Sequence, residues 1–134
     1  MSDRRIEVAL RVRYAETDAL GVAYHSNYFI WFEVARSEYF RVVVGESPAE
    51  FFQHYGMPLT EASARFFKPC RYDDLVIVAA RVSDLRSRSI EFEYEVRRKE
   101  DQVLLAIGHT SHLCVDSEGK PCRIPVLVRE ALAG

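Results

Sequence analysis

A chain of 134 residues is the size of one domain. With 49% apolar and 28% charged residues it can build a packed core under a soluble surface. A formal net charge of −2 argues against a general binder of nucleic acid or anionic membrane, although basic residues can still gather around a phosphate-bearing ligand. No apolar run approaches the roughly 20 residues that a membrane-spanning helix requires. The opening stretch "MSDRRIEVAL" is charged and then alternating, unlike a signal peptide. Cys70, Cys114 and Cys122 form no CxxC pair, and an odd, widely spaced set reads as reduced thiols in a cytoplasmic protein.

The elements follow in chain order. Ile6, Val8, Leu10, Val12 and Tyr14 alternate with polar residues and predict a half-buried strand. A loop from Thr17 to Ser26 contains Gly21. Ser26 or Asn27 is then placed to cap a helix from about Tyr28 to Val43. Its first half, "YFIWFEVA", is apolar on nearly every face, which marks a buried helix wrapped by a sheet. In "SPAEFFQHYG", Ser47 with Glu50 has the form of a capping box, Pro48 suits the first helical position, and Gly56 can end a short second helix.

Strands follow. "LTEASARFF" is one, and "PCRYDD" supplies turn chemistry. "LVIVAARVS" is apolar on both faces and reads as central. "IEFEYEVRR" alternates, with Ile90, Phe92, Tyr94 and Val96 inward, and leaves a usable sheet edge. "VLLAIGHTSHLCVD" is long, "SEGK" is a tight turn, "PCRIP" starts a short final strand, and "VLVREALA" forms a terminal helical turn. The order predicts one α+β domain over residues 1–134, an antiparallel sheet with a helix on one face.

Three stretches carry a family resemblance. They are "YAETDALGVAYHSNYFIWFEVAR" (residues 14–36), the turn "FFKPCRYDD" and the strand ending "GHTSHLCVD". The most specific is the spacing Asp18, Gly21, Tyr24, Asn27, Tyr28 followed by an apolar helix. Over nearly its whole length the chain resembles hotdog-fold acyl-CoA thioesterases of the 4-hydroxybenzoyl-CoA thioesterase type, and especially the bacterial branch associated with the Tol–Pal system. The resemblance implies a sheet curled around one long central helix. It also implies dimers with a continuous sheet, paired into homotetramers, with active sites between subunits. The substrate would be an acyl-CoA, with coenzyme A as part of the substrate and no separate cofactor.

Site residues are weighed on both grounds. A thioester carbonyl needs a nucleophile or activated water and something to hold the developing oxyanion. Asp18, in the loop before the helix, is by residue type alone either a cap or a functional carboxylate; the resemblance assigns it as the catalytic one. Glu16 reads as structural or solvated. His25 stands where free N–H groups and the helix dipole suit an anion. The resemblance assigns its backbone N–H to the thioester oxygen, while the side chain caps the helix or hydrogen-bonds at the site. Tyr24 and Tyr28 line the acyl pocket or simply pack. Glu33 is the fallback carboxylate, needing a partner if buried.

His109 and His112, three apart on a strand, face opposite sides of a sheet and cannot chelate one metal ion. Lys68, Arg71, Arg86, Arg88 and Arg123 sit at turns or strand ends; the resemblance makes Arg88 and Arg123 the best candidates for the CoA phosphates, though each is equally at home as a solvated turn charge. A non-catalytic acyl-CoA-binding hotdog module and a hotdog dehydratase are the alternatives; a carboxylate beside the thioester weighs against the first.

Overall fold

The structure, a computed structural model, describes residues 4–134. Strands β1 (Arg5–Arg11), β2 (Leu59–Phe66), β3 (Leu75–Leu85), β4 (Ser89–Arg98) and β5 (Leu104–Leu113) form an antiparallel sheet in the order β1-β3-β4-β5-β2. Helices α1 (Ser26–Tyr39), α2 (Pro48–Phe51) and α3 (Val126–Ala133) complete it, with a π turn, Phe40–Val44, prolonging α1.

Period-two alternation puts Ile90, Phe92, Tyr94 and Val96 on the face toward α1, each at most 6% exposed. From α1, Tyr28, Trp31, Phe32, Ala35 and Tyr39 answer them. Phe32 stacks on Tyr94 at 4.4 Å, and Tyr39 meets Phe92 edge-on at 5.7 Å. Burying each such side chain contributes about 1.5–3 kcal/mol. The contact is close enough to require glycine opposite Phe32: a Cβ on Gly108 of β5 would fall 2.4 Å from the ring.

The α+β arrangement is as the sequence predicts, and several details differ. β1 stops at Arg11, because Tyr14–Glu16 winds into a 3-10 turn that leaves Tyr14 76% exposed. Helix α1 begins at Ser26 with His25 in the cap position and no side-chain cap. The Asn27 amide instead donates to the Glu16 carbonyl at 2.8 Å. Ser47 does cap α2, accepting from Ala49 N at 3.2 Å, but that helix ends at Phe51 and Gly56 pairs with Val115. "PCRIP" forms only an isolated Val115–Pro121 bridge before α3, since Pro121 has no N–H to extend a ladder.

β4 is internal; the edges are β1 and β2. Nor is α1 covered on every face: Ile30 and Val34 are 50% and 39% exposed. One five-stranded sheet reaches only one side of a helix about 10 Å across.

The register divides the molecule into two ends. Val12 N donates to Asp74 O and Ala23 N to Cys70 O, so the loop before α1 sits where β3 begins. Ser89 pairs with Leu113, and Cys114 N donates to Arg88 O, where β3 ends and β4 starts. Eleven residues of β3 separate these ends, ten steps or about 33 Å at 3.3 Å per residue. Helix α1 runs along the same axis, its N-terminus at the first end.

Candidate active site

Glu16 fixes the first end. Its carboxylate is 4% exposed and accepts from Arg13 N at 2.7 Å and from Trp31 Nε1 at 2.9 Å, with the Arg13 guanidinium at 3.4 Å. Its carbonyl takes Tyr24 N and the Asn27 amide, both at 2.8 Å. Burial alone would raise its pKa. The Arg13 and Trp31 hydrogen bonds outweigh burial and hold the carboxyl below its ordinary value, so it stays ionised. Glu16 is therefore structural, the first of the two roles open to it from the sequence.

Asp18 is two residues on and differently placed. Thr17 bridges Ala23, Asp18 N donates to Val22 O, and Gly21 N donates to Asp18 O, closing a tight turn. Gly21 sits at φ +78°, the left-handed conformation glycine adopts without strain. The half-buried Asp18 carboxylate accepts from Leu20 N at 2.8 Å and Val22 N at 3.4 Å, both on Oδ1.

After the turn the chain enters α1. Among the described residues, neither His25 N nor Ser26 N is donated to an acceptor. The helix N-terminus thus presents open N–H groups with the positive end of its dipole. The exposed His25 ring lies against Tyr24 at 4.2 Å and Phe66 at 6.5 Å. An open cavity of about 280 Å³ adjoins this terminus, lined by His25, Tyr28, Phe66, Phe67 and Lys68 among others.

Tyr28 is 3% exposed, with its ring 4.9 Å from Phe66 and its hydroxyl 3.4 Å from the buried Cys70 thiol. Burial raises the pKa of both Tyr28 and Cys70. Tyr28 thus both packs and lines the cavity, whereas Tyr24 is 47% exposed. Phe66 and Phe67 were not singled out from the sequence. Their signal was present: two consecutive aromatics at a strand end place one on each face, so both faces are apolar there.

The structure gathers Asp18, His25, Tyr24, Tyr28 and Lys68 at one end. It does not bring Arg88 and Arg123 to them. Arg88 lies in the β3–β4 turn and Arg123 beyond the final hairpin, both exposed at the far end. They are neighbours there, because Ile124 N donates to Ser87 O at 2.9 Å. Glu33 is exposed, contrary to the burial its apolar setting suggested, and lines another cavity of about 160 Å³ with Arg36, Phe92 and His112.

The two strand histidines face opposite sides, as their spacing predicts. His112 is 4% exposed on the inner face, with Nδ1 3.2 Å from Met57 O and Nε2 2.9 Å from Thr110 Oγ1. Burial, reinforced by the Arg36 charge, pushes its pKa down to about 4. His109, on the outer face, bridges Ser63 Oγ and Glu91 Oε1 at 2.8 Å each. That Ser–His–Glu chain lies on the outer face, where a cavity is also lined by Arg65 and Arg81, while the sheet N–H groups lie in the plane of the sheet rather than on its face.

The class of protein this fold and site define is given by comparison with known sequences. The model of the thioesterase-like superfamily matches residues 12–132, and the chain belongs to that superfamily. Among its relatives is a putative esterase of Aquifex aeolicus, 37% identical over 91% of this chain and 93% of the relative. The acyl-CoA thioesterase YbgC of Haemophilus influenzae is 30% identical over 98% and 96%. A hypothetical protein of Thermus thermophilus, TT1821, superposes with a TM-score of 0.88 at 35% identity, over 96% of this chain and 97% of that one. The fold is the hotdog fold of thioesterases, a five-stranded antiparallel sheet around a helix.

Proposed function

We propose that this chain is an acyl-CoA thioester hydrolase of the 4-hydroxybenzoyl-CoA thioesterase type, related to the bacterial Tol–Pal-associated branch, and that Asp18 carries the reaction. The observation behind this reading is a carboxylate held by a tight turn in the loop that leads into a helix N-terminus with undonated N–H groups, where that terminus adjoins a cavity. The thioester oxygen lies against His25 N–H, which donates to it as negative charge develops on the tetrahedral carbon. Asp18 either attacks the carbonyl carbon, expelling CoA thiolate and leaving a mixed anhydride for water to cleave, or takes a proton from the attacking water. Both routes consume one water and release a carboxylic acid and free CoA. Neither calls on a metal or an organic cofactor. His25, Tyr24 and Tyr28 flank the acyl group.

The separation of about 33 Å between the two ends supports an assembly. Arg88 and Arg123 of one chain hold the phosphates of a CoA whose thioester lies at another chain's Asp18. We propose a cytoplasmic homotetramer built from dimers, in which the exposed edge of β2 and the uncovered Ile30 and Val34 are contact surfaces. No described helix is long and apolar enough to cross a membrane.

The test is release of free thiol, trapped by a dye, from a panel of short aliphatic and aromatic acyl-CoAs. Turnover that is lost in Asp18→Asn supports the reading. Binding without thiol release, or dehydration of a 3-hydroxyacyl-CoA alone, would replace it.

A further inference from the structure

Cys114 and Cys122 face each other across the last hairpin. Cys122 N donates to Cys114 O at 2.9 Å, and the two Sγ atoms stand 3.5 Å apart as free thiols. The turn between them is tightly made. The Asp116 carboxylate accepts from Glu118 N and Lys120 N at 2.9 and 3.0 Å, and Gly119 takes φ +81°. Cys114 is fully buried and Cys122 half-buried, so one sulfur is reachable from solvent and the other lies behind it. A disulfide needs about 2.05 Å between sulfurs, roughly 1.5 Å less than the present gap, which side-chain torsions and a small shift of the hairpin can close.

From this geometry we infer that Cys114 and Cys122 are a reversible dithiol site, oxidised to a disulfide by low-molecular-weight disulfides. The Cys122 thiolate attacks the external disulfide, forming a mixed disulfide and releasing one thiolate. Cys114 then attacks the Cys122 sulfur and expels the second small thiolate, which takes up the Cys114 proton and leaves as a thiol. The protein loses two protons and two electrons, and the small disulfide is reduced to two thiols. Burial and the neighbouring Cys122 thiol push the Cys114 thiol up to about 12, so Cys114 rests as a thiol.

The site adjoins the far-end arginines. Cys114 N donates to Arg88 O at 2.7 Å, and its Sγ lies 4.0 Å from Arg123 O. Drawing the two sulfurs together shifts the backbone carrying Arg123 relative to Arg88. Oxidation therefore changes KM for substrates that carry the CoA nucleotide. This consequence rests on the proposed function, while the dithiol chemistry does not.

The probe is oxidised glutathione added to the purified protein, followed by alkylation and peptide mass spectrometry. The wild type should lose two hydrogens, yield a Cys114–Cys122 cross-linked peptide, and leave Cys70 as the alkylatable thiol after unfolding. Cys114→Ser should instead retain one glutathione on Cys122, because the resolving thiol is missing. A wild-type protein that keeps a stable glutathione adduct, or leaves both thiols free, overturns the inference. In the kinetic arm, oxidation should change KM several-fold for acyl-CoA and leave acyl-pantetheine unaffected, with reversal by dithiothreitol. A disulfide that moves neither overturns the coupling to the arginines. An absence of thioesterase activity in the reduced protein would count against the proposed function, with the dithiol judged on mass alone.

Discussion

The two ends of the sheet are built on opposite electrostatic plans. At the Asp18 end a buried carboxylate, Glu16, is kept charged by donors that fix the loop, and a second carboxylate two residues on is left half-open beside a helix N-terminus. At the Arg88 end a buried histidine is kept neutral beneath α1, while the cations stand exposed in turns. The first end sets a fixed carboxylate loop ahead of open helix N–H groups. The second carries its arginines exposed in turns. About 33 Å of β3 keeps them apart within one chain, so under the proposed function they serve one substrate only across subunits.

Removing the open carboxylate should give the largest effect. Asp18→Asn should lower turnover by about 10²-fold or more, with the melting temperature nearly unchanged, because the amide oxygen can still accept from Leu20 N. Steady-state kinetics with the dye assay check this. Near-normal turnover would move the chemistry to Glu33.

Acid should separate the two ends. His112 has a folded pKa of about 4 against an ordinary 6.5, so the unfolded chain binds the proton first. Stability is intact above pH 6.5 and falls through the window down to about pH 4, by on the order of 3 kcal/mol. Glu16, with its pKa lowered from 4.5, contributes stability above that value, which is lost only as pH drops through its lower folded pKa. Urea unfolding across this range should show the slope from pH 6.5 to 4 disappear in His112→Gln, while the loss at lower pH remains.

Glu16→Gln should cost about 1–3 kcal/mol. An amide can accept from Arg13 N or Trp31 Nε1 but must turn its NH₂ toward the other donor. Turnover per folded molecule should fall less than in Asp18→Asn, which separates holding the loop from doing the chemistry.

The layers were legible because periodicity reports which faces are buried: β4 alternates cleanly and β3 is apolar on both faces from Leu75 to Ala80, and both are internal. Asp18 and His25 stood out through their spacing ahead of the helix. What the sequence hid was long-range. Nothing local says that Glu16 meets Trp31 fifteen residues on, or that Asn27 bonds backward to the Glu16 carbonyl rather than capping α1. The separation of Arg88 from Asp18 was equally hidden, because it depends on the direction of β3 and not on residue type.

The smallest single effect belongs to Arg123→Ala, a several-fold rise in KM for acyl-CoA and none for acyl-pantetheine, as expected for binding shared by ground and transition states. That variant also supplies the most direct test of a site made from two chains. Asp18→Asn and Arg123→Ala should be mixed under conditions that exchange subunits, and KM measured against acyl-CoA. In a mixed pair, one site combines the intact Asp18 of one chain with the intact Arg123 of the other. A component with wild-type KM should therefore emerge from two defective proteins. Kinetics that stay those of Arg123→Ala alone, merely diluted, would contradict it.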